Sequence, residues 1–412
     1  MNNMLHNHAE IIVKKAISAV LPDAAVQRAL ENQEFHGRIV LVAAGKAAWQ
    51  MAKAAYNCLG HRIDAGVVVT KYHHVMGPIG PFTCFEAGHP VPDENSFRGT
   101  QAALDLVAGL AEADTVLFLL SGGGSALFEM PLVPGDVLQD VTRQLLACGA
   151  DIVEINTIRK RLSAVKGGRF ANACAPAQVY SIVLSDILGD PLDMIASGPA
   201  CPDSSTCADA LAIAEKYNLV LDDQTRQLLT RETPKELSNV TTRITGSVRE
   251  LVSAAADACQ ELGYTPTVLT DQLSCQAKEA GSFLASILKS HAGCGKNLAF
   301  LAGGETVVQL TGTGLGGRNQ ELALAAAAGI DGIAGAAVFS VGSDGTDGPT
   351  DAAGGYADSD TRAALAEKGL DIFQVLSNND AYHALQAVGG LIFTGPTGTN
   401  VNDVAVALYR GE

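Results

Sequence analysis

Short, uninterrupted apolar runs alternate along this chain with longer amphipathic stretches. Arg38-Ile-Val-Leu-Val-Ala-Ala-Gly45 is one such run; it ends in glycine and passes into the helix-forming segment Lys46-Ala-Ala-Trp-Gln-Met-Ala-Lys-Ala-Ala-Tyr56, stopped by Gly60. Strand, tight turn and helix are the expected elements. The same order recurs where Thr115–Leu120, wholly apolar after its threonine, meets Ser121-Gly-Gly-Gly-Ser-Ala126. Further strands are predicted at 65–70, 179–184, 265–269, 297–301, 336–341, 391–393 and 404–409, with a strand-like stretch at 306–310. Helices are predicted at 9–20, after Asp23 as N-cap, and at 93–111, 134–147, 248–262, 319–328 and 360–368.

Strands without polar alternation are covered on both faces, and helices alternating with them imply parallel sheets. The expected fold class is therefore α/β, with largely parallel sheets whose ligands bind beyond the carboxyl ends of the strands. A chain of 412 residues exceeds one ordinary core at roughly 100–200 residues per domain. The stretch 219–244 is polar and lacks a clear core strand, which places the boundary near residue 235: a Rossmann-like domain over 1–235 and a second α/β domain over 236–412.

Composition removes several functions. Net charge is −16, and the densest basic run is only Arg159-Lys160-Arg161, so a nucleic-acid backbone would be repelled. Nine cysteines stand singly with no Cys-x-x-Cys, as expected of reduced thiols in a cytoplasmic protein. The N-terminus has no signal pattern, and no apolar run approaches the roughly 20 residues that span a bilayer.

The chemistry concentrates in glycine-rich loops. Three glycines between Ser121 and Ser125 let Gly122, Gly123 and Gly124 turn several N–H groups toward one point, which suits phosphate or carboxylate. No Walker sequence occurs. The loop Thr311-Gly-Thr-Gly-Leu-Gly-Gly317 contains the spacing of a dinucleotide turn but leads into Arg318, a fixed charge with a bidentate fork. Lys46 holds the corresponding place after the first strand, against the helix dipole, and hints at an anionic ligand. Carboxylates end other strands: Asp186 and Asp190 after 179–184, Glu305 after Gly303-Gly304, and Asp344, Asp347 and Asp351 in one loop. The segment from Glu154 to Arg169 is read as a basic helix facing an anion. His89 and the His73-His74 pair have no partner pattern pointing to catalysis.

Together, Leu120-Ser-Gly-Gly-Gly-Ser-Ala126, Asn156…Arg159-Lys160…Ser163…Lys166-Gly-Gly168, Ser185-Asp186…Gly189-Asp190…Ser197-Gly-Pro199, Gly303-Gly-Glu-Thr306, Gly316-Gly-Arg-Asn-Gln-Glu321 and Gly395-Pro-Thr-Gly-Thr-Asn-Val-Asn-Asp403 resemble the glycerate 2-kinase family, whose C-terminal part is the MOFRL domain. The resemblance runs in order from about residue 9 to the end of the chain. It implies two three-layer α/β/α domains with the active site in the cleft between them, and phosphoryl transfer from ATP, with Mg²⁺, to the 2-hydroxyl of D-glycerate. It implies catalytic roles for Lys46 and Arg318. The accompanying assignments are Asp186 as base and Asp190 as metal ligand. Ser121 to Ser125, Asn156, Lys160 and Lys166 are assigned to substrate or phosphate, and Gly303, Gly304, Glu305, Gly316, Gly317 and Asp344 to nucleotide. A monomer or homodimer without nucleic-acid or membrane partners is expected. The alternative is an NAD(P)H-dependent hydroxypyruvate reductase built on the 312–317 loop, a label that some members of the family carry.

Overall fold

The computed structural model describes residues 3–411. The chain forms two compact units, Ala25–Thr245, and Met1–Ala24 together with Gly246–Glu412.

In the first unit six strands lie in the order β3-β2-β1-β4-β5-β6, where β1 is Ile39–Ala44, β2 Ile63–Lys71, β3 Phe82–Ala87, β4 Thr115–Leu120, β5 Gln178–Leu184 and β6 Val240–Gly246. The pairings from β3 through β5 are parallel. β1 and β4 are buried throughout. Val40, Val42, Val116 and Phe118 face a layer that includes the helix Glu94–Val107; Leu41, Ala43, Leu117 and Leu119 face the helix Ala48–Leu59. Each fully buried Leu or Phe contributes roughly 1.5–3 kcal/mol. The chain builds outward from β1 to β2 and β3, then returns to place β4 on the other side of β1. The carboxyl ends of β1 and β4 are therefore the switch point at which such sheets open a crevice.

The second sheet has the order β11-β10-β9-β12-β8-β7, with β7 Thr265–Leu273, β8 Leu298–Gly304, β9 Ala336–Gly342, β10 Gly354–Asp358, β11 Leu391–Ile392 and β12 Asp403–Tyr409. It is mixed rather than largely parallel: β7 pairs with β8 in parallel, but β12 runs antiparallel between β8 and β9, and β9, β10 and β11 alternate in direction. As a result the carboxyl ends of β8 and β9 and the amino end of β12 share one edge, with Asp403 opposite Gly304 on one side and Gly342 on the other.

The division differs from the expected one at residue 235. The polar stretch before the boundary contains the edge strand β6, so the first unit extends to Thr245. The opening helix Asn3–Ala19 belongs to the second unit, because its stripe of Leu5, Ala9, Ile12, Val13, Ala16 and Ile17 is buried there. His8 Nδ1 lies 2.9 Å from the Tyr264 hydroxyl, and Thr399 Oγ1 donates to Val20 O at 2.9 Å. The stretch 306–310 is not a strand; only Val307 makes an isolated bridge, to Gln276. Among the described residues no helix is long and apolar enough to cross a membrane.

Candidate active site

At the switch point of the first unit the two loops are stitched together. Lys46 N–H donates to Gly122 O at 2.9 Å, Ser121 N–H to Ala44 O at 3.0 Å, and Ala47 N–H to Ser121 Oγ at 3.1 Å. Ser121 is thus buried and engaged as a brace between loops rather than offered to a ligand. The amides of Gly122, Gly123, Gly124 and Ser125, by contrast, donate to no acceptor among the described residues. Four N–H groups on a turn with Gly123 in the left-handed region (φ 84°) line a concavity with unpaired donors, a geometry suited to an anion. Its walls are close. A Cβ on Gly122 would lie 2.1 Å from Asp186 Oδ2, and one on Gly123 3.0 Å from His89 Nε2 and 3.2 Å from Lys46 Cγ. Lys46 is exposed and precedes the helix Ala48–Leu59 instead of opening it.

Behind the loop, the expected basic helix breaks into Ile152–Arg161 and Arg169–Cys174, and its cations turn inward. Lys166 Nζ donates to Ser125 O at 2.9 Å and Phe128 O at 3.0 Å and pairs with Glu129 at 3.2 Å. Arg159 Nη2 reaches the same Ser125 O at 2.8 Å and the same Glu129 oxygen at 3.2 Å. Burial pulls Lys166 down to about 8, with Glu129 holding its charge and Arg159 opposing it. Lys160 pairs with Asp203 at 3.0 Å and Asp193 at 3.4 Å. Lys160 and Lys166, both assigned above to substrate or phosphate, are buried and paired with carboxylates of the protein, and Lys166, through Ser125 O, braces the glycine loop from behind. Asn156 is buried too; its Oδ1 accepts from Ser197 Oγ at 2.8 Å, and Ser197 Oγ lies 3.2 Å from Ser125 Oγ, so it acts on the loop through two hydroxyls.

Asp190 follows β5 in a left-handed backbone conformation (φ 52°), and its buried Oδ1 has no hydrogen-bond partner. Among the described residues no group of three His, Cys, Asp or Glu side chains has metal-ligand geometry.

The second unit carries its own cluster at the shared edge of β8, β9 and β12. Arg318 opens the helix Arg318–Ile330; its Nε and Nη2 clamp Asp403 at 2.5 and 3.0 Å, and Nη1 reaches Glu305 at 2.8 Å. Burial alone would lower the guanidinium, but the Asp403 and Glu305 carboxylates hold it above its usual range. Burial raises Asp403, against the pull of Arg318. The helix has no cap from Gly317 itself. Asp347 supplies one from a distance, accepting Asn319 N–H at 3.1 Å and Gln320 N–H at 2.9 Å. Gly317 makes that approach possible, since a Cβ there would sit 2.2 Å from Asp347 Cγ.

Burial pushes Asp347 up to about 6, against the N–H groups it accepts. Between about pH 4 and 6 the folded state keeps a proton that the unfolded chain has released, so this group removes stability as pH rises through that window. Asp347→Asn is expected to flatten this part of the profile, so that its urea midpoint relative to wild type is poorest at the acid end. Parallel unfolding curves from about pH 4 to 7 check this.

The glycine loop before Arg318 is clamped for most of its length. Thr311 and Gly312 N–H donate to Asn379 Oδ1 at 2.7 and 2.9 Å, Thr313 N–H to Asn378 Oδ1 at 3.2 Å, Gly314 N–H to Asn378 O at 2.9 Å and Leu315 N–H to Asp380 Oδ1 at 2.9 Å. A dinucleotide turn needs those amides free for pyrophosphate, so that reading of the 312–317 loop fails. Only the amides of Gly316, Gly317 and Arg318 donate to no acceptor among the described residues. Gly303 and Gly304 pack closely, against Val252 and Leu273, where a Cβ has no room. Asp344 Oδ1 takes Thr346 N–H at 3.0 Å within its own turn, and Asp351 accepts the Tyr382 hydroxyl at 2.8 Å; the three carboxylates of that loop do not converge.

Sequence reading missed the position of His89 against Gly123 and the Asn378-Asn379-Asp380 clamp, named Asp347 only as one of three loop carboxylates, and placed Asp403 only within a turn-rich motif. Each is remote in sequence from what it touches, so no local spacing announces it.

Two α/β units, each presenting unpartnered amides beside a fixed cation at its strand ends, define an anion-handling enzyme of the phosphotransferase kind. Residues 8–230 match the model described as Domain of unknown function (DUF4147), and residues 298–403 match the MOFRL family. The chain is 54% identical over 403 residues to the D-glycerate 2-kinase of Thermotoga maritima, covering 96% of each. It belongs to the glycerate 2-kinase family. A crystal structure of a glycerate kinase from the same organism superposes with a TM-score of 0.94 at 52% identity, covering 98% of this chain and 99% of that one. A relative from Agrobacterium vitis named as a hydroxypyruvate reductase is 39% identical over 96% of this chain and 93% of its own.

Proposed function

We propose that this chain transfers the γ-phosphoryl group of ATP to the 2-hydroxyl of D-glycerate, giving 2-phosphoglycerate. The observation that carries the reading is the pair of open amide sets, Gly122 to Ser125 beside Lys46 and Gly316 to Arg318 beside the Arg318 guanidinium. Phosphoryl transfer asks a protein for positioning and for neutralisation of spreading negative charge, and both sets supply those. The first is the acceptor's site: its amides take the glycerate carboxylate and Lys46 balances the charge. The second takes nucleotide phosphate oxygens. Arg318 uses three of its five N–H groups on Asp403 and Glu305, which leaves two for the ligand.

Asp190, with its buried unpartnered oxygen, would hold Mg²⁺, which commonly binds proteins through one or two carboxylates and completes its shell with phosphate and water. The ion would add positive charge at the phosphates. Nine cysteines without a disulfide fit a cytoplasmic enzyme, working as a monomer or homodimer.

Incubation with ATP, Mg²⁺ and D-glycerate is expected to yield ADP and a phosphorus NMR signal of 2-phosphoglycerate. A 3-phosphoglycerate signal would overturn the position, and NADH oxidation with hydroxypyruvate in place of ADP formation would overturn the class.

A further inference from the structure

His89 lies between β3 and the helix Glu94–Val107, in a segment anchored at both ends. Gly88 N–H donates to the Asp93 carboxylate, and the same carboxylate caps the helix through Ser96 N–H at 3.1 Å and receives the Tyr72 hydroxyl at 2.7 Å. The imidazole is thereby held half-buried over Gly123, its Nε2 and Cδ2 each 3.0 Å from the point where a Cβ would stand, with the Lys46 stem 3.2 Å from that same point. Neither ring nitrogen has a hydrogen-bond partner among the described residues. An imidazole so fixed, with its nitrogens unused, at the rim of four open amides is unusual for a residue with only a packing role.

Resting on the proposed acceptor site, we infer that His89 is the general base of the reaction, in place of Asp186. The hydroxyl to be phosphorylated is on the carbon next to the carboxylate, so a carboxylate seated on the amides of Gly122 to Ser125 puts that hydroxyl at the rim of the loop. His89 stands at the rim beside Lys46, whereas Asp186 presses on Gly122 and already has a partner within the protein. In the step, the glycerate O–H bond breaks and its proton passes to the open imidazole nitrogen. The oxygen forms the new O–P bond as the bond from Pγ to the bridging oxygen of ADP breaks, and ADP leaves with that electron pair.

The groups facing the ring suit the task. Burial first, then Lys46, Lys71 and His74, keep His89 below the usual histidine range, so at neutral pH it is an unprotonated acceptor. The imidazolium formed in the step has Lys46 beside it, which favours return of the proton to water before the next turnover.

The test is the pH dependence of steady-state kinetics for wild type, His89→Gln, His89→Asn and Lys46→Ala. Wild-type kcat/KM is expected to fall on the acid side with an apparent pKa below 6.5. Both His89 variants are expected to lose about 10²-fold or more in kcat, to keep KM for ATP and glycerate within about threefold, and to lose the acid limb. A kcat within about fivefold of wild type, or an acid limb that survives the substitution, overturns the proposal. So does a wild-type profile that is flat down to about pH 5, which needs no variant to fold. If Lys46→Ala also retains turnover, the acceptor site itself is misplaced; if Lys46→Ala is inactive while His89→Gln is not, only the base assignment falls.

Discussion

Arg318→Ala is expected to lower kcat by about 10³-fold, the scale on which an arginine acts in phosphoryl transfer. The guanidinium is the fixed charge at the open amides of Gly316, Gly317 and Arg318, and a phosphoryl group in transit spreads charge over oxygens that a planar fork can meet in pairs. The substitution also reaches into the fold. Asp403 is buried and already raised by burial, and without its bidentate partner it protonates or remains uncompensated. Breaking a buried pair in this way destabilises by about 3–5 kcal/mol where both partners are dry, and by less here because Arg318 is partly exposed. Arg318→Lys separates the two roles: it keeps a cation for Asp403 but loses the fork. It is expected to recover most of the thermal stability while remaining about 10-fold or more below wild type in kcat. Steady-state kinetics with thermal unfolding of both variants check this. Near-normal turnover of Arg318→Ala would reduce the residue to a support for Asp403.

Lys46→Ala carries the second large effect, an expected loss of about 10²–10³ in kcat. Here the fold is not at stake. The bonds that lock Lys46 in place are backbone ones: its N–H to Gly122 O, and its carbonyl to Thr70 Oγ1 at 3.2 Å and to the His74 ring at 3.1 Å. All survive truncation of the side chain. The ammonium has no carboxylate partner among the described residues, so its removal uncovers no buried charge. Circular dichroism and the unfolding midpoint should match wild type while turnover collapses. A parallel fall in stability would mean the loop geometry had been lost instead.

His89 and Lys46 show where the limits of sequence reading lie. The position of Lys46 was legible because strand, glycine and helix follow one another directly along the chain, and the place of a charge on that unit is a local fact. His89 touches Gly123 only because β3 is the outer neighbour of β2 while β4 returns to β1, an arrangement that brings residues 89 and 123 together across the ends of the sheet. Lys160 and Lys166 show the converse. As sequence they are a basic stretch in an acidic protein and suggest an anionic ligand. Folded, they meet Asp203 and Glu129, buried carboxylates supplied by other segments.

The sequence alone determined what depends on neighbours along the chain. Apolar runs without alternation specified buried strands such as β1, β4, β5 and β9, and glycines after strands specified the tight loops at their carboxyl ends. It missed β3 and β6, edge strands only partly buried, and β10, whose Gly354 and Gly355 lie against Ser340 and Leu385. Tertiary structure decided the rest. It inserted β12 antiparallel between β8 and β9, so that Asp403 meets Arg318 from 85 residues away. It turned most of the second glycine loop into a clamped turn by pairing its amides with Asn378, Asn379 and Asp380, and it gave the opening helix to the second unit. Periodicity and turn chemistry are set by covalent neighbours. Which buried charge finds which partner is set by the packing of segments far apart in the chain, and that information is not local.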